Sequence, residues 1–233
     1  MFKSTPGFQA TVRHLGIDMV RLIEQPSLDV TLDLLNTGYA TPAGAAALAR
    51  LKADPAIAEL IQERYWGHWP DLASLTSLPE DTLGYIYGHL MQQQGLQPLP
   101  PPVIPATADG NDTYILSRCR ATHDLWHAVT GVPPTLAGET TILAILTEQL
   151  RSPGYALMVA ATLIHRADID APETNPGAID LGQAVSYGLE LGRQSAPLLA
   201  QRWEEGWERP VSEWRDALGI STLVNHGLFS TVG

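Results

Sequence analysis

The chain has 233 residues, of which 45% are apolar and 17% charged, and its formal net charge is −11. So few charges exclude a mainly disordered chain and a coiled coil as the main architecture. The excess of acid disfavours charge-driven binding to nucleic acid or to anionic lipid headgroups, so any membrane contact is expected to be apolar. The single cysteine excludes an intrachain disulfide and a cysteine-based zinc site, and it favours a reducing compartment.

No targeting or membrane-spanning segment is predicted. Residues 1–7 lack the charged start and apolar run of a signal peptide and the arginine-rich character of a transit peptide. The most apolar stretch, residues 154–164, is shorter than the roughly 18 residues that a spanning helix needs. We therefore expect a soluble, cytoplasmic protein.

Apolar residues recur at three- and four-residue spacing through nearly the whole chain, which predicts an all-α fold. In chain order, the predicted helices are residues 8–24, 55–64, 78–94, 113–131, 136–151, 155–168, 176–205 and 210–218. Residues 97–112 hold five prolines and no apolar period, which predicts the main loop. Without a strand pattern or an internal repeat, the chain is predicted to form a single-domain helical bundle over residues 1–233.

Two of the seven histidines, His123 and His127, are four residues apart in one predicted helix. Residues at that spacing share a helix face, so both imidazoles can point at the same metal ion. Glu139 follows the helix break at residues 131–134 and lies in the first turn of the next predicted helix. A helical hairpin can fold that turn back towards the histidines. Asp124 points about 100° away from His123, which makes it a candidate for holding an imidazole in one tautomer.

Each of these groups also has an ordinary explanation when taken alone. A histidine pair at this spacing commonly lies on the surface or in the core without binding a metal, and an acid in the first turn of a helix is stabilised by the helix dipole. Zincin proteases carry glutamate where this chain has Asp124. Phosphohydrolases with a His-Asp doublet would need His89 and Asp168, and would leave His127 and Glu139 without a role. The coincidence of all four groups at one helix break favours a metal site.

The pattern His123-Asp124-x-x-His127, then eleven residues and Glu139, resembles the HDxxH-x11-E signature of a known family. That family is the coenzyme Q (ubiquinone) biosynthesis proteins named for the fourth yeast complementation group. Further segments are similar to the same family: residues 78–87, Arg118-x-Arg120, Gly138-Glu139, residues 203–205 and residues 218–220. The resemblance covers about residues 10 to 220, and the lack of a mitochondrial targeting segment points to a bacterial-type homologue.

The resemblance implies an all-α fold and a metal held by His123, Asp124, His127 and Glu139. Nitrogen and carboxylate donors suit Zn²⁺, the expected ion, with Mn²⁺, Fe²⁺, Co²⁺ or Mg²⁺ as alternatives. The implied ligand is a polyprenylated aromatic acid, and the implied activity is oxidative decarboxylation, a hydroxylation with loss of the ring carboxylate at carbon 1.

The resemblance also implies peripheral association, here with the inner face of a bacterial membrane. Candidate partners are other quinone-biosynthesis enzymes and a second copy of the chain. An alternative reading of the family is a non-catalytic prenyl-lipid-binding scaffold or carrier for a biosynthesis complex. Both functions stay open at this point.

Two arginines precede the motif. Arg120 lies one turn before His123 on nearly the same helix face, so its guanidinium could hold a substrate carboxylate through two hydrogen bonds. Arg118 falls on a different side. For both arginines the alternative is a surface salt bridge.

Small residues recur every fourth position along the predicted helix 176–205: Ala184, Gly188, Gly192 and Ala196. Glycine inside a helix costs about 1 kcal/mol relative to alanine, so something close to the backbone should offset that cost. Either another helix packs tightly against the stripe, or the stripe forms a groove for an isoprenoid chain. The wall of such a groove is predicted from three residues: Leu157, Met158 and Leu163.

Four further side chains are predicted to pack. Cys119 has no base arranged to activate it, so it is predicted to be a small buried side chain. The tryptophans at 203, 207 and 214 are predicted to be core or interface aromatics, with contact to a membrane's interfacial layer as the alternative.

Overall fold

A computed structural model describes residues 6–95, 108–167 and 179–230. Within these ranges the chain is all-α, as predicted, and its only pairing of extended backbone is a single bridge between Thr82 and Pro210. The helices are α1 (Pro6–Glu24), α2 (Leu28–Tyr39), α3 (Pro42–Ala53), α4 (Pro55–Glu63), α5 (Leu72–Leu75), α6 (Leu83–Gln93), α7 (Gly110–Thr130), α8 (Leu136–Leu150), α9 (Pro153–Ala167), α10 (Leu181–Gln194), α11 (Val211–Leu218) and α12 (Ser221–Asn225). The prediction of one domain over residues 1–233 extends beyond the described ranges and stays a prediction.

Most of the helices begin where the sequence supplies a side-chain oxygen for the first free N–H groups. Thr41 and Asp54 cap α3 and α4, and each is followed by a proline that loses nothing at a helix start. Asp109 and Asp112 form a reciprocal capping box at the start of α7. These local signals explain why several predicted helix starts are close to the observed ones.

Other boundaries were predicted wrongly. Helices α2, α3, α5 and α12 were not predicted. The helix predicted from residue 78 begins instead at Leu83, because Thr82 turns back to donate to the Pro79 carbonyl and caps α6. The helix predicted to run to residue 205 ends at Gln194, since Pro197 cannot continue it, and two 3-10 turns follow. Residues 97–107 of the predicted loop and residues 168 and 176–178 of the predicted helix ends lie outside the described residues.

The buried core is organised around α8. Ile142, Ala144 and Ile145 are almost completely buried, because α8 has other helices on most of its sides. Helices α9 and α10 pack against it, and α7 is joined to it by a short turn. No helix in the described ranges combines the length and the apolar character needed to cross a membrane.

The stripe of small residues on α10 packs against α8. A Cβ atom added at Gly188 would lie 2.3 Å from the Thr141 carbonyl oxygen, and one at Gly192 would lie 3.0 Å from Cβ of Glu148. Ala184 is fully buried. The prediction of a lipid groove along this stripe was therefore wrong, and close helix packing is the correct explanation. Ala196 lies beyond the end of α10, where its N–H donates to the Leu218 carbonyl.

Replacing Gly188 with alanine is expected to lower the free energy of unfolding by about 1–3 kcal/mol, because α8 leaves no room for a methyl group. The gain in helix propensity, about 1 kcal/mol, has the opposite sign. The matched control is Gly16→Ala in α1, where a Cβ meets no atom within 4 Å, so stabilisation is expected. Urea unfolding measures both. A stabilising Gly188→Ala would contradict the close packing.

The three tryptophans and Cys119 are core residues. The rings of Trp203 and Trp214 lie 4.8 Å apart, and the Trp207 indole donates to the His68 carbonyl. All three tryptophans are buried, so contact with a membrane interface is excluded for them in this conformation. Cys119 is only 6% exposed, which agrees with the predicted packed side chain, and burial raises the pKa of its thiol to about 12.

Arg118 forms an ion pair with Glu204, but the pair is buried. The alternative of a salt bridge at the protein surface was therefore wrong for Arg118. The guanidinium donates to both carboxylate oxygens, at 2.9 and 3.2 Å, and each side chain is 1% exposed. Further hydrogen bonds run to the carbonyls of Leu199 and Gln201. This network ties α7 to the two 3-10 turns after α10 and directs Arg118 away from the histidines.

Candidate metal centre and apolar cavity

The turn between α7 and α8 brings Glu139 to the histidines. Gly131 ends α7 in the left-handed conformation (φ 70°), and Thr135 caps α8. A Cβ atom added at Gly138 would lie 1.7 Å from the Pro133 carbonyl oxygen. Only glycine permits this close approach, which places the first turn of α8 against the end of α7.

His123, His127 and Glu139 form a compact group that could hold a metal ion. Each offers one ligand atom, and these atoms all lie within 4.8 Å of one another. Nε2 of His127 is 3.3 Å from one carboxylate oxygen of Glu139, and Nε2 of His123 is 3.7 Å from the other. The prediction that these three residues come together is confirmed.

The hydrogen bonding of His127 fits a metal ligand. Its Nδ1 lies 2.9 Å from the Val132 carbonyl, which can only accept, so Nδ1 must carry the proton. In the neutral imidazole this leaves the Nε2 lone pair facing the cluster. That atom is buried and has no hydrogen bond of ordinary geometry. A buried nitrogen held in this way is what a ligating histidine with an outer hydrogen-bond partner presents to a metal.

The charges of the group are strongly coupled. Burial by itself raises the pKa of Glu139, but the close approach of His123 and His127 outweighs this effect and holds the pKa well below its usual range. The Glu139 side chain is 44% accessible because it faces the cavity described below, yet protein still encloses most of it. Burial lowers the pKa of His127, and the interaction with Glu139 more than reverses this effect.

Asp124 stands beside the group rather than inside it. It lines the same cavity but is not one of the three clustered residues. Burial raises its pKa, and the nearby His123 and His127 oppose that change. Its predicted role as a ligand stays a prediction.

An apolar cavity of about 620 Å³ opens from the cluster, between α1, α2, α7, α8 and α9. His123, Asp124 and Glu139 lie in its wall together with Arg120. Leucine and methionine supply half of the remaining lining residues: Leu22, Leu28, Leu32, Leu35, Leu116, Leu143, Leu146 and Met158. The volume is within the range of small-molecule sites.

Some of the predicted site residues line this cavity and others do not. Arg120 lines it, and burial lowers the pKa of its guanidinium. Among the predicted lipid-binding residues, Met158 lines it as well. Leu157 and Leu163 are absent from the described lining, and Leu163 is 37% exposed. An apolar cavity is therefore present, but α10, the helix predicted to form the lipid groove, contributes no residue to its described lining.

The sequence prediction missed the contribution of α2 and the tyrosines. Leu28, Leu32, Leu35 and Tyr39 all line the cavity from α2. Their three- and four-residue spacing is a helical signal that was available in the sequence. Tyr155 faces the cavity from α9.

The metal-free protein is expected to be most stable between about pH 4.5 and 6.5. The pKa of Glu139 is lower in the folded protein than in the unfolded chain, where it is about 4.3. The ionised carboxylate therefore stabilises the fold above about pH 4.3, and this stabilisation is lost as the pH falls towards the pKa of the folded state. The raised pKa of His127 means that its imidazolium stabilises below the unfolded value of about 6.5, and this is lost as the pH rises through the folded value.

Melting temperatures in a chelator between pH 4 and 9 test this expectation. Glu139→Gln should flatten the profile, whereas Glu80→Gln, at an exposed position outside the cavity, should leave it unchanged. Identical profiles for Glu139→Gln and the wild type would contradict it.

Comparison with known proteins places the chain among proteins of quinone biosynthesis. It is 29% identical over 161 residues to the mitochondrial ubiquinone biosynthesis protein COQ4 homolog 1 of Culex quinquefasciatus, a match that covers 66% of this chain and 53% of that protein. It is 30% identical over 194 residues to mitochondrial COQ4 of Coccidioides immitis (strain RS), covering 81% of this chain and 66% of that protein. The chain thus spans about half to two thirds of the length of these curated relatives.

The fold and the family model agree with these matches. A crystal structure of a protein from Nostoc punctiforme PCC 73102 superposes with a TM-score of 0.76 at 24% identity, over 90% of this chain and 98% of that one. Residues 38–223 match the model of the coenzyme Q (ubiquinone) biosynthesis protein Coq4. This match includes the whole α7–α8 hairpin with His123, His127 and Glu139, and the chain therefore belongs to the Coq4 family of coenzyme Q biosynthesis proteins.

Proposed function

We propose that this chain is a metal-dependent enzyme that binds a polyprenylated hydroxybenzoate and replaces the ring carboxylate at carbon 1 with a hydroxyl group. One observation carries the proposal. Two members of the group that could hold a metal, His123 and Glu139, line the same apolar cavity as Arg120. A lipid carrier needs only the apolar wall. The candidate metal group and Arg120 add polar groups that could bind and activate an aromatic acid.

The apolar wall suits the prenyl tail. Leu32 and Leu35 from α2, Leu143 and Leu146 from α8, and Met158 from α9 line one continuous cavity. Each square ångström of apolar surface removed from water stabilises the complex by about 25 cal/mol, so the tail would supply much of the binding free energy.

Arg120 is the proposed partner of the carboxylate. Its half-buried guanidinium has a lowered pKa because burial penalises the cation. An anionic group beside it would relieve that penalty, and the guanidinium fork can bind both carboxylate oxygens. Since Arg120 lies one turn from His123, this contact would hold carbon 1 of the ring near the cluster.

His123, His127 and Glu139 would hold the metal, and we place Asp124 beside them as the proposed fourth ligand. The donor set of nitrogen and oxygen without thiolate suits Zn²⁺, our first choice, and also Mn²⁺, Fe²⁺, Co²⁺ or Mg²⁺. A bound cation would supply stabilisation of the negative charge that develops on substrate oxygen. Val132 keeps the proton of His127 on Nδ1, so Nε2 stays available as a ligand.

The proposed reaction balances as a two-electron oxidation. The carboxylate and one water become a ring hydroxyl and carbon dioxide, with release of two electrons and one proton. The electrons pass to an oxidant, for which the assay supplies dioxygen. Arg120 has to release its hold when carbon dioxide leaves, because the product no longer carries the anion at that position.

The test is turnover of a short-tail substrate. Wild-type protein is loaded in parallel with each candidate metal and given a geranylated hydroxybenzoate labelled with ¹³C in the carboxylate. Labelled carbon dioxide and the ring hydroxyl are measured by mass spectrometry. Loss of both in His123→Ala, together with a raised KM in Arg120→Lys, would support the proposal.

Tight binding without turnover for any metal would favour the non-catalytic lipid-binding scaffold or carrier. Absence of both metal and ligand binding would exclude both functions.

Peripheral membrane association is the proposed setting. Val12, Ile17 and Val20 on α1 are about half exposed, and so is Leu28, which also lines the cavity. We place this apolar surface against the inner face of a bacterial membrane, with other quinone-biosynthesis enzymes and a second copy of the chain as candidate partners.

Ile17→Glu with Val20→Glu is expected to reduce flotation with neutral lipid vesicles, while Trp66→Glu, at another exposed apolar residue, should not. Equal flotation of both variants would contradict this placement.

A further inference from the structure

Two tyrosines form a second polar region in the wall of the cavity. Tyr39 comes from α2 and Tyr155 from α9, and their rings meet edge to face with centroids 6.4 Å apart. Both are close enough to Arg120 to influence its ionisation. The tyrosines therefore approach the cavity from different helices than the metal cluster, which lies on α7 and α8.

Two hydroxyl groups in this region lack an acceptor. The Tyr39 hydroxyl is buried, in a residue only 6% exposed, and it makes no hydrogen bond of ordinary geometry to a described residue. The same holds for the hydroxyl of Ser152, which is 1% exposed. Tyr114 and Tyr187 differ, since Tyr114 donates to the Tyr65 carbonyl and Tyr187 to the Leu223 carbonyl. An unpaired buried hydroxyl is costly, so a function for this group is expected.

The three hydroxyls can form one directed chain. Tyr155 and Ser152 both lie beside Tyr39. Small rotations would let Ser152 donate to Tyr39, and Tyr39 donate to Tyr155, and each such bond polarises the next. The Tyr155 hydroxyl then has its own proton left to donate to an acceptor in the cavity.

We propose that Tyr155, supported by Tyr39, binds the ring hydroxyl oxygen of the aromatic headgroup and so determines specificity for an oxygenated ring. The inference rests on the proposed function, which supplies the ring and assigns its carboxylate to Arg120. A guanidinium fork satisfies a carboxylate by itself, so a second, neutral donor set on other helices suits a second, neutral oxygen. Tyr155 is the binding residue here, and Tyr39 is a positioning residue that acts through it.

The test compares three geranylated ligands by isothermal titration calorimetry: the 4-hydroxybenzoate, the benzoate without the hydroxyl, and the phenol without the carboxylate. The proteins are the wild type, Tyr155→Phe, Tyr39→Phe and the control Tyr187→Phe, each with and without Zn²⁺. Phenylalanine keeps the ring, and melting curves verify that each variant folds.

The wild type is expected to bind the hydroxybenzoate about tenfold more tightly than the benzoate, as for one buried hydrogen bond. Tyr155→Phe should reduce this ratio to about one, Tyr39→Phe should reduce it partly, and Tyr187→Phe should leave it unchanged. A structural role alone would weaken all three ligands equally and keep the ratio. If Tyr39→Phe fails to fold, the ratio in Tyr155→Phe decides.

Two outcomes would overturn the inference while leaving the proposed function in place. One is an unchanged hydroxybenzoate-to-benzoate ratio in Tyr155→Phe. The other is that Tyr155→Phe instead removes the difference in affinity between the hydroxybenzoate and the phenol. That result would mean that the tyrosines bind the carboxylate together with Arg120. Failure of the wild type to bind any of the three ligands would overturn the proposed function and the inference together.

Discussion

Replacing His127 with alanine is expected to abolish stoichiometric binding of a divalent metal. His127 is the most buried member of the cluster, at 3% exposure, and the Val132 carbonyl holds its ring in place. Loss of an outer hydrogen-bond partner alone typically costs 10- to 100-fold in metal affinity, so loss of the ligand itself should cost more than about 100-fold. Elemental analysis of the purified protein and competition with a chromophoric chelator measure this effect.

A thermal shift gives a second readout of the same variant. A metal that binds only the folded protein stabilises it by RT ln(1 + [metal]/Kd) and so raises its melting temperature. Zn²⁺ should therefore raise the melting temperature of the wild type and of His14→Ala, an exposed histidine outside the cluster, but not that of His127→Ala. Retained metal and a retained shift in His127→Ala would exclude the cluster as the metal site.

Replacing Arg118 with methionine is expected to lower the free energy of unfolding by about 3–5 kcal/mol. The change leaves the Glu204 carboxylate buried without its cation and removes the bonds to the Leu199 and Gln201 carbonyls. For a domain of this size, a loss of that magnitude corresponds to a fall in melting temperature of roughly 10 °C. Chemical and thermal unfolding measure it directly.

Two controls separate burial from charge. Arg118→Met combined with Glu204→Met should recover much of the lost stability, because no uncompensated charge remains. Arg209→Met breaks a pair with Glu213 that is 36% and 61% exposed, and it should cost less than about 1 kcal/mol. If Arg118→Met lowered the free energy of unfolding no more than Arg209→Met does, the buried pair would not be important for stability.

Much of the candidate metal group could be predicted because its signals are local. His123 and His127 are one helical turn apart, so their shared face follows from the geometry of the helix alone. Glu139 lies in the first helical turn after the break at Gly131, so a short hairpin brings it close to both histidines. Arg118 shows the limit of this reasoning, because its partner Glu204 is 86 residues away and no local pattern indicates it.

The glycine stripe on α10 was misassigned for a related reason. Glycines spaced by four indicate that something approaches the backbone closely, but the spacing is the same for a lipid chain and for a neighbouring helix. The contacts of Gly188 with Thr141 and Ala144 on α8 decide the question. The real apolar cavity depends on α2, whose leucines have an ordinary amphipathic spacing that does not distinguish a cavity wall from a core.

The amino-acid sequence alone determined the helical class, several helix starts and the residues of the candidate metal group. Each of these depends on interactions within one or two turns of helix or across one short hairpin. Only the tertiary structure decided that Arg118 is buried, that α10 packs directly on α8, and that Tyr39 and Tyr155 face the cavity beside Arg120. These features arise where helices distant in the sequence meet, and hydrophobic burial, which drives that meeting, is non-directional and carries little local signal.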